Sequence, residues 1–383
     1  AHRTSPTNIG LALLSYLAAN DFGYIPASHL ITRLSNTFGS MARLERYRGH
    51  FYNWYDTKTL QPLQNPIYIS SVDSGNLAGH LITLKAGLAE QKNRMALTGR
   101  LLDGLRDTFE LLRDEGNDQY RAQIVDIDRK LSKYEKQAKL TIKQRFDLLH
   151  SLVDTLTTLV PITARDEKTL SSFWSNALLS QCNQQLDELA NLAPWVLLPG
   201  WQNKPNLISE LNRNMSLQQV SELSEHLVTT FEEMKKKAGK EDQELLEELE
   251  VRVGNASKEA GKRLESFADL VRQIDDFSQM DFTFLYDHST NLLSIGYNIT
   301  DRKIDNSYYD LLASEARLTS FVAIAMGQIP QENWFALGRM MTVIGGDPIL
   351  LSWSGSMFEY LMPHLVMPSF ESTLLDQTHK AAV

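Results

Sequence analysis

A chain of 383 residues with a formal charge of −9, 43% hydrophobic and 22% charged residues has ample material for a core and the composition of an ordinary globular protein. The acid excess excludes a general nucleic-acid binder, which needs a net basic surface. Cys182 is the single cysteine, which excludes an intramolecular disulfide and a cysteine-cluster metal site and is compatible with a reducing compartment.

Ser5-Pro6-Thr7-Asn8 has the residue types of a helix start, with Thr7 or Asn8 as the cap and Ile9, Leu11, Leu13, Leu14 and Leu17 following. Turn chemistry at Asn20-Asp-Phe-Gly-Tyr-Ile-Pro26 ends that helix. A second helix is predicted over 27–46, with Leu30, Ile31, Leu34, Phe38, Met41 and Leu44 inside. Glu45-Arg-Tyr-Arg-Gly-His-Phe-Tyr-Asn-Trp-Tyr-Asp56 then sets aromatic rings and an imidazole among arginines, an amide and two acids. Sugars are bound by such sets, rings against C–H patches and planar polar groups against hydroxyls; an aromatic-rich core turn has the same composition. Ser70-Ser-Val-Asp-Ser-Gly-Asn76 precedes a helix predicted over 77–88, and Asp73 either caps that helix or holds a substrate hydroxyl.

From 90 to 280 charges become dense and helical spacing dominates, as at Leu97, Leu101, Leu105, Phe109 and Leu112. Prolines and glycine in 191–201 predict a turn with apolar anchors. The acidic face of 241–250, preceded by Lys235-Lys236-Lys237, is a solvated helix surface. The region reads as a long helical insertion, as antiparallel arms would be. No apolar run in the chain is long enough to span a bilayer, and no signal peptide is evident.

Residues 282–300 predict a β-hairpin. Residues 306–321 predict a helix whose apolar positions are Leu311, Leu312, Leu318, Phe321 and Val322. Glu315 then sits in the buried stripe of its own helix, where burial raises a carboxyl pKa as a general acid requires. The alternative is a buried glutamate bonded to backbone or arginine, although Arg317 at i+2 diverges from it. A helix is predicted over 333–341. Residues 350–363 are again polar and aromatic, with Glu359 between Phe358 and Tyr360.

The nine histidines show no metal-ligand spacing, and no phosphate loop or nucleophile elbow is present, so neither metal nor cofactor is expected. What remains is a set of carboxylates in aromatic, amide-rich segments: Glu45, Asp56, Asp73, Asp310, Glu315 and Glu359. Two carboxyl groups flanking a scissile bond are the material of glycoside chemistry.

Four segments carry a more specific signal: Arg46–Asp56, Ser70-Ser-Val-Asp-Ser-Gly-Asn-Leu-Ala-Gly-His80, Tyr309-Asp-Leu-Leu-Ala-Ser-Glu-Ala-Arg317 and Trp353-Ser-Gly-Ser-Met-Phe-Glu-Tyr-Leu-Met-Pro363. They resemble the glucoamylase-like domain of bacterial cyclic β-1,2-glucan synthases. The resemblance covers roughly residues 4–90 and 280–380; the middle matches only in being helical and in its position. It implies a mainly all-α fold, an incomplete (α/α)6-type barrel with a small β-hairpin and the helical insertion, related to β-1,2-glucanases. Residues 1–89 and 281–383 would form the barrel parts and 90–280 the insertion.

The parent synthases are implied to be multi-domain proteins of the bacterial inner membrane, with this part a soluble piece on the cytoplasmic side. They polymerise glucose from UDP-glucose in an N-terminal glycosyltransferase and trim the chain in a C-terminal phosphorylase-like region. The middle domain is implied to close linear glucan into a ring by retaining transglycosylation. Glu315 is implied to be the acid/base, with Arg48, His50, Tyr52, Trp54, Asp73, Asn76, Tyr309, Asp310, Arg317, Trp353 and Glu359 as substrate-binding candidates. The family's nucleophile lies in a later Ser-Glu-Ser motif that this sequence does not contain. The chain is therefore expected to hold about half a barrel and one member of the catalytic pair, and to be inactive alone. Expected partners are a β-1,2-glucan chain, the other synthase domains and a second copy through the insertion. A hydrolytic β-1,2-glucanase relative and a non-catalytic glucan-binding or docking module remain as alternatives.

Overall fold

The computed structural model describes residues 2–63, 66–96, 100–115, 118–135, 137, 140–164 and 169–383; Leu97 of the predicted helical pattern lies outside them. Among the described residues are fourteen α-helices and eleven strands of two to four residues, a mainly all-α protein as expected. No helix among them is long and apolar enough to cross a membrane. The chain divides into two compact units.

The first unit is Ala1–Ser15, Ser35–Gly87 and Leu270–Val383. Its opening helix, Pro6–Asp21, is capped by neither expected residue. Ser5 Oγ accepts the Asn8 N–H at 3.2 Å, which leaves the Thr7 side chain for another partner. The second helix ends at Met41 rather than 46. The third starts at Ser71, six residues before the prediction, with Ser70 Oγ accepting the Asp73 N–H at 3.2 Å; Asp73 is therefore not its cap.

The expected hairpin over 282–300 is a two-stranded hairpin followed by the central strand of a three-stranded sheet. Tyr286–Asp287 pairs with Leu292–Leu293, and Gly296–Asn298 lies between Tyr68–Ser70 and Lys303–Ile304. Arg46–Tyr47 and His50–Phe51 form a tight hairpin whose central residues, Arg48 and Gly49, have φ of 52° and 84°.

Two helix predictions fail here. Residues 306–315 are not helical, and the helix is Ala316–Ala325. The backbone N–H groups of Leu311, Ala313 and Ser314 go to Gly338 O, Asp310 O and Glu359 Oε1, so no helical ladder forms. Leu311 and Leu312 pack with Leu337 and Leu350 instead of along a helix stripe. The predicted 333–341 helix is a single turn, Glu332–Ala336, followed by the antiparallel strands Met341–Ile344 and Asp347–Leu350. Their turn is Gly345-Gly346, with φ of 61° and 98°, and β-branched Thr342, Val343 and Ile344 favour the strand.

The second unit, Tyr16–Leu34 and Leu88–Asp269, is helical. Capping boxes at Thr141/Gln144 and Ser216/Gln219 start the helices Ile142–Thr163 and Leu217–Lys237. The 191–201 turn buries its anchors Trp195 and Trp201 completely, and Trp195 Nε1 donates to Leu211 O at 2.8 Å. The acidic stretch 241–250 lies on the helix Lys240–Phe277, which buries Leu246 and Leu249.

Candidate active site

Glu315 does not ride on the apolar stripe of a helix; it is the residue from which the helix Ala316–Ala325 departs. It is nonetheless 6% exposed. The preceding Ser314 has φ of 50°, an uncommon conformation for a residue with a side chain. That geometry brings Ser314 Oγ to 3.0 Å from Glu315 Oε2 and its N–H to 2.8 Å from Glu359 Oε1. Asn76 Nδ2 donates to the same Oε2 at 3.2 Å. Burial pushes the Glu315 carboxyl above its ordinary range; the bonds from Asn76 and Ser314 oppose this, and the charge of Asp73 adds to it.

Asp73 and Asn76 project from one face of the helix Ser71–Glu90, and Thr7 bridges them. Thr7 Oγ1 donates to Asp73 Oδ1 at 2.6 Å and accepts from Asn76 Nδ2 at 3.0 Å. Burial also raises the Tyr309 hydroxyl, with Asp73 and Glu315 contributing. Asp310 Oδ2 accepts from Trp353 Nε1 at 2.8 Å, which fixes an indole that is 59% exposed and 6.4 Å from the Tyr309 ring. Gly338 lies against Asp310 so closely that a Cβ would come within 2.1 Å of its carboxylate.

Glu359 has a different environment from Glu315. Burial favours its neutral form, but donors from Ser352, Ser314 and Ser354 outweigh it and hold the carboxyl below its ordinary range. Arg317 does not pair with Glu315; its Nη1 and Nη2 donate to Glu359 O and Tyr360 O at 2.6 Å each.

The other four predicted residues are engaged elsewhere. His50 is fully buried, with Nε2 donating to Asp281 O at 2.7 Å. Its Nδ1 therefore accepts from Ser74 Oγ at 2.9 Å. No capacity remains for a sugar hydroxyl. Tyr52 is buried and donates to Glu45 Oε1 at 3.1 Å. Arg48 pairs with Asp281 over the Phe284 ring, and Trp54 lies under Arg3. For His50 and Tyr52 the aromatic-rich core turn is what the fold uses.

Sequence reasoning missed Thr7, Ser314, Ser352 and Ser354. Thr7 carried only a helix-start signal, Ser314 and Ser354 lay in segments that carry the resemblance without being singled out, and Ser352 carried no signal. Among the described residues no group of three or more His, Cys, Asp or Glu converges as a metal site would.

The site thus joins a buried carboxyl with a raised pKa to neighbouring amide and hydroxyl groups and, through Tyr309 and Asp310, an exposed indole. No protein-family model matches the chain. The cyclic β-(1,2)-glucan synthase NdvB of Rhizobium meliloti, however, is 36% identical over 390 positions, covering 100% of this chain. The chain is a relative of one segment of a cyclic β-(1,2)-glucan synthase. It spans 12% of that synthase's length. The synthase match covers every site segment described above, and with it the intervening helical unit.

Proposed function

We propose that the chain is the part of a cyclic β-1,2-glucan synthase that closes linear glucan into a ring by retaining transglycosylation, with Glu315 as acid/base. The observation that carries this is the buried, raised Glu315 carboxyl, set among Asp73, Asn76 and Tyr309. Protonated, it donates to the glycosidic oxygen of the bond being broken; ionised, it takes the proton of the incoming sugar hydroxyl. Trp353, held by Asp310, offers its ring face to a glucose unit.

The retaining route needs a second carboxylate free to attack. Glu359 is occupied by three donors and Asp73 by Thr7, so neither fits that role. The reading therefore places the nucleophile on polypeptide beyond these residues and expects the chain to be inactive alone. Phe335, Val343, Leu365 and Phe370, each more than 60% exposed, supply apolar surface of the kind further polypeptide covers.

The test offers linear β-1,2-glucan to the chain and to a longer synthase polypeptide that contains it, each as wild type and E315Q. Mass spectrometry distinguishes rings, one water lighter than linear chains. Rings from the longer wild type alone, with glucan binding retained in E315Q, are the expected result. Rings from E315Q at the wild-type rate would overturn the assignment. Binding by every protein with no turnover by any identifies a glucan-binding module instead.

A further inference from the structure

The direction of each hydrogen bond in the site follows from one end. Asp73 Oδ1 accepts the Thr7 backbone N–H at 3.4 Å, so the Thr7 hydroxyl 2.6 Å from the same oxygen donates to it. Thr7 Oγ1 is left with lone pairs, and the Asn76 atom 3.0 Å away must be the amide nitrogen. That nitrogen is also 3.2 Å from Glu315 Oε2 and directs its second proton there. Ser314 Oγ donates to the same oxygen at 3.0 Å. Among the described residues Asn76 Oδ1 is left buried without a partner, and a flipped amide would set its oxygen against two acceptors, Thr7 Oγ1 and Glu315 Oε2.

From this we infer that Thr7, Asn76 and Ser314 are positioning residues that make Oε2 of Glu315 a fixed acceptor and confine the acidic proton to Oε1. The inference rests on the reading of Glu315 as acid and deepens it, because it names the oxygen that carries the proton. The Oε1–H bond breaks and its electron pair stays on the carboxylate, where Oε2 already has two donors. The proton bonds to the glycosidic oxygen, which takes the electron pair of the breaking C–O bond. The second carboxylate, which the proposed function places on further polypeptide, gives an electron pair to the anomeric carbon and forms the new C–O bond. Asp73, Tyr309 and Arg317 are the titratable or charged groups that act on this carboxyl.

Infrared difference spectra of the full chain, acid minus neutral, read the protonated Glu315 carbonyl, with E315Q assigning the band. T7V removes the acceptor that orients Asn76, so the ionised carboxyl loses a donor. The protonation midpoint then rises by about one pH unit, a tenfold change in acid constant, and the carbonyl band moves to higher frequency. T7S keeps the hydroxyl and stays at wild-type values. S314A removes the other donor, shifts both readouts the same way and serves if T7V does not fold. Wild-type midpoint and band in both T7V and S314A would overturn the inference. Neither readout uses turnover, so failure of the ring-closing reading is seen separately, in the products of E315Q.

Discussion

Arg317 shows how far a single side chain's role departs from its sequence setting. As the last residue of the Ser-Glu-Ala-Arg segment it was expected to touch substrate, yet it is 1% exposed and both terminal nitrogens serve backbone carbonyls 42 and 43 residues along the chain. Burial draws its pKa down to about 10, so the guanidinium remains charged at neutral pH and needs its acceptors. R317M leaves two buried carbonyls unpaired and is expected to lower stability by about 2–4 kcal/mol. R317K supplies an ammonium in place of the planar fork and recovers only part of the loss. Urea unfolding of the three proteins checks the order; equal midpoints for wild type and R317M would show that the carbonyls find other donors. Nothing in the local sequence reveals these partners, because carbonyl acceptors leave no residue-type signal.

At the scale of elements, spacing failed where distant groups took the backbone donors. Leu311, Leu312, Leu318, Phe321 and Val322 fit a helix, but Gly338 O and Glu359 Oε1 claim N–H groups that a helix would use. The Gly345-Gly346 hairpin had a readable turn signal, but no element was predicted over 342–349. In the second unit the helical spacing was legible because packing there runs along the helix faces. One buried ion pair ties three of those helices together. Glu188 of Leu170–Leu192 accepts Arg263 Nη1 of Lys240–Phe277 at 2.6 Å and Ser28 Oγ of Ala27–Met41 at 2.7 Å. E188A strands a guanidinium that is 5% exposed and, among the described residues, retains Glu259 alone as an ion-pair partner, so a loss of about 3 kcal/mol is expected. R263M added to E188A should restore much of it, since the stranded charge then disappears. A double-mutant cycle in urea with no coupling between the two sites would refute this.

For the molecule as a whole, the site was legible in its parts, and the fold supplied what spacing could not. Asn76 and Glu315 meet across 239 residues, Asp73 joins them through Thr7 and Glu359 through Ser314, and the bonded pair Asp310–Trp353 lies beside Tyr309. From the 46–56 segment, with equally suggestive composition, His50, Phe51, Tyr52 and Tyr55 went into the first unit's core. That burial makes the first unit sensitive to acid. His50 and His80 are fully buried, burial lowers both to about 4 from 6.5, and among the described residues neither ring nitrogen of His80 has a partner. Above pH 6.5 both states hold the imidazoles neutral and stability is complete. As pH falls from 6.5 towards 4 the unfolded chain takes up protons that the folded chain refuses, so stability is lost across that window and levels off below it. Each histidine then costs about 2 kcal/mol by pH 5. Glu315 acts in the opposite sense, because a raised folded pKa favours the folded state at low pH, but it is one group against two. His80→Leu removes an imidazole that makes no hydrogen bond and should flatten the loss between pH 7.5 and 5 by about 2 kcal/mol. Urea unfolding of wild type and H80L at the two pH values measures this, and the same slope in both proteins would show that acid sensitivity comes from elsewhere.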